Sequence, residues 1–305
     1  MLEQDQTPAA GQGFDAGETI IGHVSNSAPD HPLLHLPTVF GINLSVSKHV
    51  FMLWLVAALV FLIVTTLVRR HLRNARHLPS GAPGALEVIV EFIRDGIARP
   101  NVGDKWVKTW TPLLLTMFVF ILSANVIGLI PIFEVLGLID HLVLHSADHS
   151  FVKTLLHGSA TATGNYNVTA GLALITFMAI IVAGTRAHGF VKHWTNLVPH
   201  GMPLPLYALL IPMELISMLV RPFALTMRLA ANMTGGHIAI LAILSFVFIF
   251  AEMLGALGGI GVGLLFSVPL SAAIYALEII VVLVQAYVFT LLSAVFIGMA
   301  IHVHH

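Results

Sequence analysis

The chain has 305 residues, of which 57% are hydrophobic and only 10% charged, with a mean hydropathy of +0.91. Soluble domains carry about 25% charged residues, so this composition excludes a soluble enzyme or binding module and marks an integral membrane protein. A net charge of −1 offers no basic surface for nucleic acid, and the absence of Cys excludes disulfides, thiolate metal sites and cysteine nucleophiles.

Residues 1–40 are polar, acidic and dotted with Pro and Gly, without the charged-then-apolar layout of a signal peptide. They are expected to form an extracytoplasmic arm before a single membrane domain over residues 41–305. A spanning helix needs about 20 apolar residues, and residues 50–68 supply the first. It stops abruptly at Arg69, Arg70, His71, Arg73 and Arg76. Eight of the 14 Lys and Arg lie between Arg69 and Lys108, so the positive-inside rule puts this connection in the cytoplasm and the N-terminus outside. Within it, Leu86, Ile89, Val90, Ile93 and Ile97 recur at helical spacing opposite Glu87, Glu91, Arg94 and Asp95. The spacing predicts an amphipathic helix over about 85–99, lying along the membrane surface and stopped by Pro100.

A second span is expected over 110–136, leading to a polar outside loop over 140–165. A third, over 168–185, returns to Arg186, His188, Lys192 and His193. Two long apolar segments follow, 204–252 and 264–301, separated by a turn rich in glycine (Gly255, Gly258, Gly259, Gly261 and Gly263). As helices they would measure about 70 and 57 Å against a hydrocarbon core of roughly 30 Å. Pro212 and Pro222 permit kinks, but no polar loop interrupts either segment. The expected fold is therefore an all-α membrane protein: about three ordinary spans, an interfacial amphipathic helix, and a C-terminal hairpin of two long, steeply tilted helices whose C-terminus is cytoplasmic. No internal repeat or second domain is visible.

The hairpin carries polar intruders. Arg228 stands in an almost purely apolar stretch, where a guanidinium costs from about 3 to more than ~10 kcal/mol. Glu214, Arg221 and Arg228 are seven apart, so each step drifts only about 20° and all three share a face, with Asn232 one turn beyond. Glu278 and Gln285 are also seven apart. In an antiparallel hairpin Arg228 comes level with Gln285, and His237 with Glu278 about 11 to 14 Å nearer the outside. His237 and Glu278 can both titrate, as a proton relay requires. A guanidinium keeps its proton in a protein, so Arg228 suits a permanent positive barrier. Glu214, on the cytoplasmic side, would line a second route. The competing structural explanation is a polar stripe that only glues helices together.

Other chemistries fit less well. His141, His145 and His149 would stack on one helix face, and His302, His304 and His305 end the chain, but the expected topology puts the two sets on opposite sides of the membrane. No H-E-x-x-H motif is present, so no metal or cofactor is expected and these histidines read as solvated loop and tail residues. A secondary transporter binding a small anion at a midplane Arg/Glu site is the stronger alternative. It would carry internal repeats and matched broken helices, and neither appears.

The run Met218-Leu-Val-Arg-Pro-Phe-Ala-Leu-Thr-Met-Arg-Leu-Ala-Ala-Asn-Met-Thr-Gly-Gly-His237 resembles the signature of subunit a of F-type ATP synthases. Supporting stretches are Pro112-Leu-Leu-Leu-Thr-Met-Phe with Asn125-Val-Ile-Gly-Leu-Ile-Pro131, Asn165-Tyr-Asn-Val-Thr169, and Glu278 with Val284-Gln-Ala-Tyr-Val-Phe-Thr290. Together they cover most of the chain from about Leu36 onward. The resemblance implies a non-catalytic, proton-translocating stator subunit without a nucleotide site. It would pack against a ring of c subunits and contact the peripheral-stalk b subunits, in a bacterial inner membrane. Protons would enter through one half-channel, ride on a ring carboxylate, and leave through a second, offset one. By the same resemblance Arg228 matches the arginine that faces that carboxylate and blocks a short-circuit. Asn232, Gln285, His237, Glu278 and Glu214 match pathway positions, and Arg221, Asn125, Asn165 and Asn167 match supporting ones. Ala224 departs from the family, where several members have Ser.

Overall fold

The computed structural model describes residues 15–17, 20–21, 38–39, 42–43, 45–46, 48–73, 81–130, 162–195 and 204–302. Most of the N-terminal arm, residues 131–136 of the second span, the loop carrying His141, His145 and His149, and the terminal His304 and His305 lie outside these residues. The described chain is helical apart from an antiparallel pair of two-residue strands, β1 (Thr38–Val39) and β2 (Ile42–Asn43).

Helix α1 (Lys48–Arg73) supplies the first span. It leaves Trp54, Phe61 and Leu62 exposed, as a helix facing lipid does. Its Thr65 and Thr66 hydroxyls donate to Phe61 O (2.6 Å) and Leu62 O (2.7 Å), so neither polar group is left unsatisfied in an apolar setting.

The amphipathic segment forms α2 (Ala82–Glu91), a π-helical turn (Phe92–Ala98) and α3 (Arg99–Val102). Its apolar stripe meets protein: Ile93, Ile97 and Ala98 are buried in the main core beside α4 (Asp104–Leu129) and α8 (Val268–Ile301). The charged face is stitched by Asp95, which takes Arg94 at 2.6 Å and Arg99 at 2.7 Å; Arg99 also reaches Asp104 at 3.1 Å. Pro100 does not stop the helix, contrary to the sequence expectation. A proline ring clashes with the carbonyl four residues back and cannot donate to it. The preceding π turn, in which Arg99 N donates to Arg94 O, shifts that register and lets the helix continue to Gly103. Gly103 turns the chain at φ 79°, a conformation glycine adopts without steric cost. Pro269 repeats the device behind a second π turn, Gly263–Ser267.

Helix α4 and α5 (Tyr166–His188) are the second and third spans, and α6 (Phe190–Thr195) is a short continuation of α5 past Gly189. The long hairpin is made by α7 (Leu204–Val262) and α8. Gly255, at φ 76° and ψ 176°, breaks α7 and reverses the chain. The 51 residues before it, 59 less the eight from Gly255 onward, would extend about 76 Å, far beyond a hydrocarbon core of roughly 30 Å, so the hairpin lies steeply tilted.

The turn is a single residue, whereas the sequence suggests a nine-residue glycine-rich connection. Gly258, Gly259, Gly261 and Gly263 are helical, and Gly258, Gly259 and Gly263 let the two arms approach closely. A Cβ on Gly259 would stand 2.8 Å from Val247 O, and one on Gly263 3.3 Å from the Val247 side chain. Small residues at four-residue spacing are how membrane helices bring backbones together. The core lies where α8 packs on α4, with Phe289, Ala294 and Ile297 against Leu114, Phe118 and Ile121. Leu225 and Leu229 bring α7 into the same cluster.

Candidate functional site

Contacts along the hairpin set the register of its polar residues. Asn232 Nδ2 donates to Gln285 Oε1 at 3.0 Å, and one turn further along α7 the Glu278 carboxylate lies against Gly236, with its Cδ 2.8 Å from where a Gly236 Cβ would be. In the other direction the Arg221 guanidinium lies 5.5 Å from the centre of the Phe296 ring and 3.3 Å from Glu214 Oε1. The arms are antiparallel, as the spacing implies. Gln285, however, pairs with Asn232 instead of standing level with Arg228. Arg228 and Asn232 are both exposed on α7, and of the two it is the Asn232 amide that reaches the buried Gln285.

Among the described residues, none hydrogen-bonds or ion-pairs with the Arg228 guanidinium. Ala231, Gly235 and Ile238 continue its exposed strip. On α8 the exposed face carries Leu277, Ile280, Leu283 and Val284. Arg228 is thus a cation on an otherwise apolar exposed strip of α7, one turn from the bonded Asn232 and Gln285 amides.

Glu278 and Gln285 are both buried on the inward face of α8, at 3% and 4% exposure. Neither carboxylate oxygen of Glu278 has a hydrogen-bond partner among the described residues, so it does not bond to His237. It faces the neighbouring Gly236 instead, because only a residue without a side chain leaves room there. The expected imidazole–carboxylate pair is thus adjacent in level but not joined.

Around this level lie polar residues that spacing did not reveal. Tyr275 Oη donates to Leu129 O at 2.5 Å, capping the carbonyl end of α4, and Thr234 Oγ1 donates to Gly164 O at 3.3 Å. Thr163 Oγ1 donates to Asn125 Oδ1 at 2.5 Å, while Asn125 Nδ2 has no partner among the described residues. Tyr275 sits three residues before Glu278, and Thr234 lies between Asn232 and His237; helical spacing could have flagged both. Thr163 carried no such signal, since only the fold brings it to Asn125.

Asn165 and Asn167 have a local role. Asn165 is the N-cap of α5, its Oδ1 accepting from Asn167 N at 2.8 Å. Asn165 is itself buried, and the Asn167 side chain is exposed.

At the opposite end, α8 is anchored by histidines. His188 Nε2 lies 2.8 Å from Ile301 O, and His302 Nε2 lies 3.3 Å from Val102 O, so His302 is tied to the fold and is not a loose tail residue. His193 packs its ring against Gly184, and burial, then the nearby His188, holds its pKa below the usual imidazole value. Among the described residues no three His, Asp or Glu gather as metal ligands.

The family model described as ATP synthase A chain matches residues 50–298. The chain is 38% identical over 301 residues to "ATP synthase subunit a 2" of Chlorobium luteolum, covering 96% of this chain and 78% of the relative. It is 38% identical over 285 residues to "ATP synthase subunit a" of Chloroherpeton thalassium, covering 92% and 74%. Anaeromyxobacter dehalogenans has an "ATP synthase subunit a" that is 37% identical over 267 residues, covering 87% of this chain and 60% of the relative. With a family match over residues 50–298, which takes in all four candidate spans and most of the long helical hairpin, the chain belongs to the ATP synthase A chain family: it is a multi-pass membrane subunit a of an F-type ATP synthase, with the remainder of that complex as its partner.

Proposed function

We propose that this subunit forms two offset proton half-channels against a ring of c subunits, and that Arg228 is the fixed cation between them. The observation that carries the reading is the Arg228 side chain: exposed on α7, and without a partner among the described residues. A charge so placed at membrane depth needs a counter-charge from outside the chain. A carboxylate of the ring meets that need. Because guanidinium does not release its proton, it holds the ring carboxylate's charge without passing a proton across.

On one side of Arg228, the outward route comprises His237, Glu278, Asn232 and Gln285, with Asn125, Asn165 and Asn167 supporting it. On the other, Glu214 lines the cytoplasmic route, its charge moderated by Arg221. A proton arriving by the outward route neutralises the ring carboxylate and frees it from Arg228; the ring turns, and the proton leaves on the Glu214 side. The N-terminus lies outside and the C-terminus in the cytoplasm of a bacterial inner membrane, consistent with the cluster of basic residues from Arg69 to Lys108. The peripheral-stalk b subunits hold this subunit still while the ring moves.

Replacing Arg228 with Ala tests the reading. In inverted membrane vesicles, ATP-driven proton pumping is expected to be lost while ATP hydrolysis by the catalytic sector continues. Near-normal pumping by the variant refutes it.

A further inference from the structure

Arg221 and Arg228 are seven residues apart and share a face of α7, yet they meet different surroundings. Arg228 is exposed and unbonded among the described residues, whereas the Arg221 side chain is only 18% exposed and is held from two directions. Its Nη2 donates to Glu214 Oε1 at 3.3 Å, two turns nearer the start of α7. On the other side its guanidinium carbon lies 5.5 Å from the centre of the Phe296 ring on α8. That is within the roughly 6 Å over which an aromatic face attracts a cation. Phe296 is itself fixed, partly buried and packed against the main core. It stands eleven residues beyond Gln285, as Arg221 stands eleven before Asn232, so the contact continues the register set by the Asn232–Gln285 hydrogen bond.

The surface between the two arginines is apolar: Leu219, Val220, Phe223 and Met227 are all exposed. A guanidinium turned out onto such a surface is poorly solvated and binds any carboxylate within reach. Arg221 lies about 10 Å along α7 from Arg228, between it and Glu214. In the proposed cycle a ring carboxylate loses its proton on the Glu214 side and must then reach Arg228. An outward-turned Arg221 would capture that carboxylate on the way, and the ring would stall between two traps. Glu214 nevertheless needs a cation, because a carboxylate in apolar surroundings is costly without one. The two requirements conflict unless Arg221 serves Glu214 while staying off the exposed strip.

We propose that Phe296 and Glu214 together hold Arg221 in the seam with its charge neutralised, so that a ring carboxylate passes it and meets its cation at Arg228. Phe296 is then a positioning residue for the rotary step, acting through Arg221. This inference rests on the proposed role of Arg228 against the ring, and it explains why a second guanidinium on the same helix face does not compete.

The test uses the assembled ATP synthase in inverted membrane vesicles, with ATP-driven pumping normalised to the amount of complex. Phe296→Leu removes the aromatic face but stays apolar, and Phe296→Tyr keeps the face. Pumping is expected to fall at least about threefold in Phe296→Leu and to stay within about twofold of the parent in Phe296→Tyr. Removing the loosened cation should then repair the loss: Phe296→Leu/Arg221→Gln is expected to pump at least about threefold faster than Phe296→Leu. Lost packing at Phe296 would not be repaired by taking away a second side chain. A double variant no faster than Phe296→Leu overturns the proposal, as does full pumping in Phe296→Leu itself. Should Phe296→Leu fail to assemble, Phe296→Met, which also lacks the ring face, takes its place in both comparisons. Arg228→Ala is measured alongside. Lost pumping there, with an unrepaired double variant, leaves the rotary reading standing and removes only the role given to Phe296; near-normal pumping in Arg228→Ala removes both.

Discussion

Gly236→Ala is the perturbation whose effect follows most directly from the geometry. A methyl group there would collide with the Glu278 carboxylate, whose Oε1 is nearest and whose Cδ lies 2.8 Å away. An ordinary contact needs 3.4 to 4 Å, so the carboxylate must retreat by roughly 1 Å or the arms must part. Overpacking of this kind costs about 1–3 kcal/mol. Charged wholly to the proton-transfer step, that cost lowers flux by about five- to 150-fold, since about 1.4 kcal/mol is a factor of ten. The assay is ATP-driven proton pumping in inverted vesicles, normalised to the amount of assembled complex. Glu278→Asp, one methylene shorter, should restore room, so the double variant Gly236→Ala/Glu278→Asp is expected to pump better than Gly236→Ala alone. Gly171→Ala is the control: a Cβ at Gly171 meets nothing within 4 Å, so pumping should be unchanged. Full activity in Gly236→Ala, or no recovery in the double variant, would refute a packed contact between the two arms at Glu278.

Breaking the Asn232–Gln285 hydrogen bond by Gln285→Leu should slow pumping without abolishing it, and a double-mutant cycle with Asn232→Leu should give a coupling of about 0.5–1.5 kcal/mol in pumping rate. Gly298→Ala should destabilise the subunit by about 1–3 kcal/mol, read as earlier thermal loss of assembled complex, because its Cβ would run into the backbone of Asn101. His193 gives a pH signature at the α5–α6 junction. Its folded pKa lies below the ordinary value of 6.5, so the unfolded state binds the proton more readily. Stability contributed there is full above about pH 6.5, falls as pH drops through that value, and levels off below the folded pKa. Hydrogen-exchange protection over residues 186–195 should therefore decline on acidification, and His193→Gln should flatten the decline; an unchanged slope would rule His193 out as its source.

Much of the fold was legible in the residues, because apolar length and Lys/Arg placement are local properties. The runs around Val56, Leu114 and Ala179 each announced a membrane helix. The length of the two C-terminal segments left either a break or a steep tilt, since the bilayer has a fixed thickness. Helix boundaries were less legible. Pro100 looked like a terminator until the π turn before it removed the clash, and five glycines looked like one turn when only Gly255 adopts a positive φ. Both depend on backbone register, which a single-residue preference does not report.

The same division runs through the candidate site. By itself the sequence determined that Glu214, Arg221, Arg228 and Asn232 share a stripe on one long helix and that Glu278 and Gln285 share one on the other, because a period of 3.6 residues decides which positions share a face; the antiparallel hairpin was an expectation from the glycine-rich break. Only the tertiary structure decided what each side chain meets: Arg228 exposed and unbonded among the described residues, Asn232 on Gln285, and Glu278 against Gly236. Those outcomes come from how closely the two arms approach at Gly236, Gly259 and Gly263. That distance is set by contacts between residues far apart in the chain, which no local pattern contains.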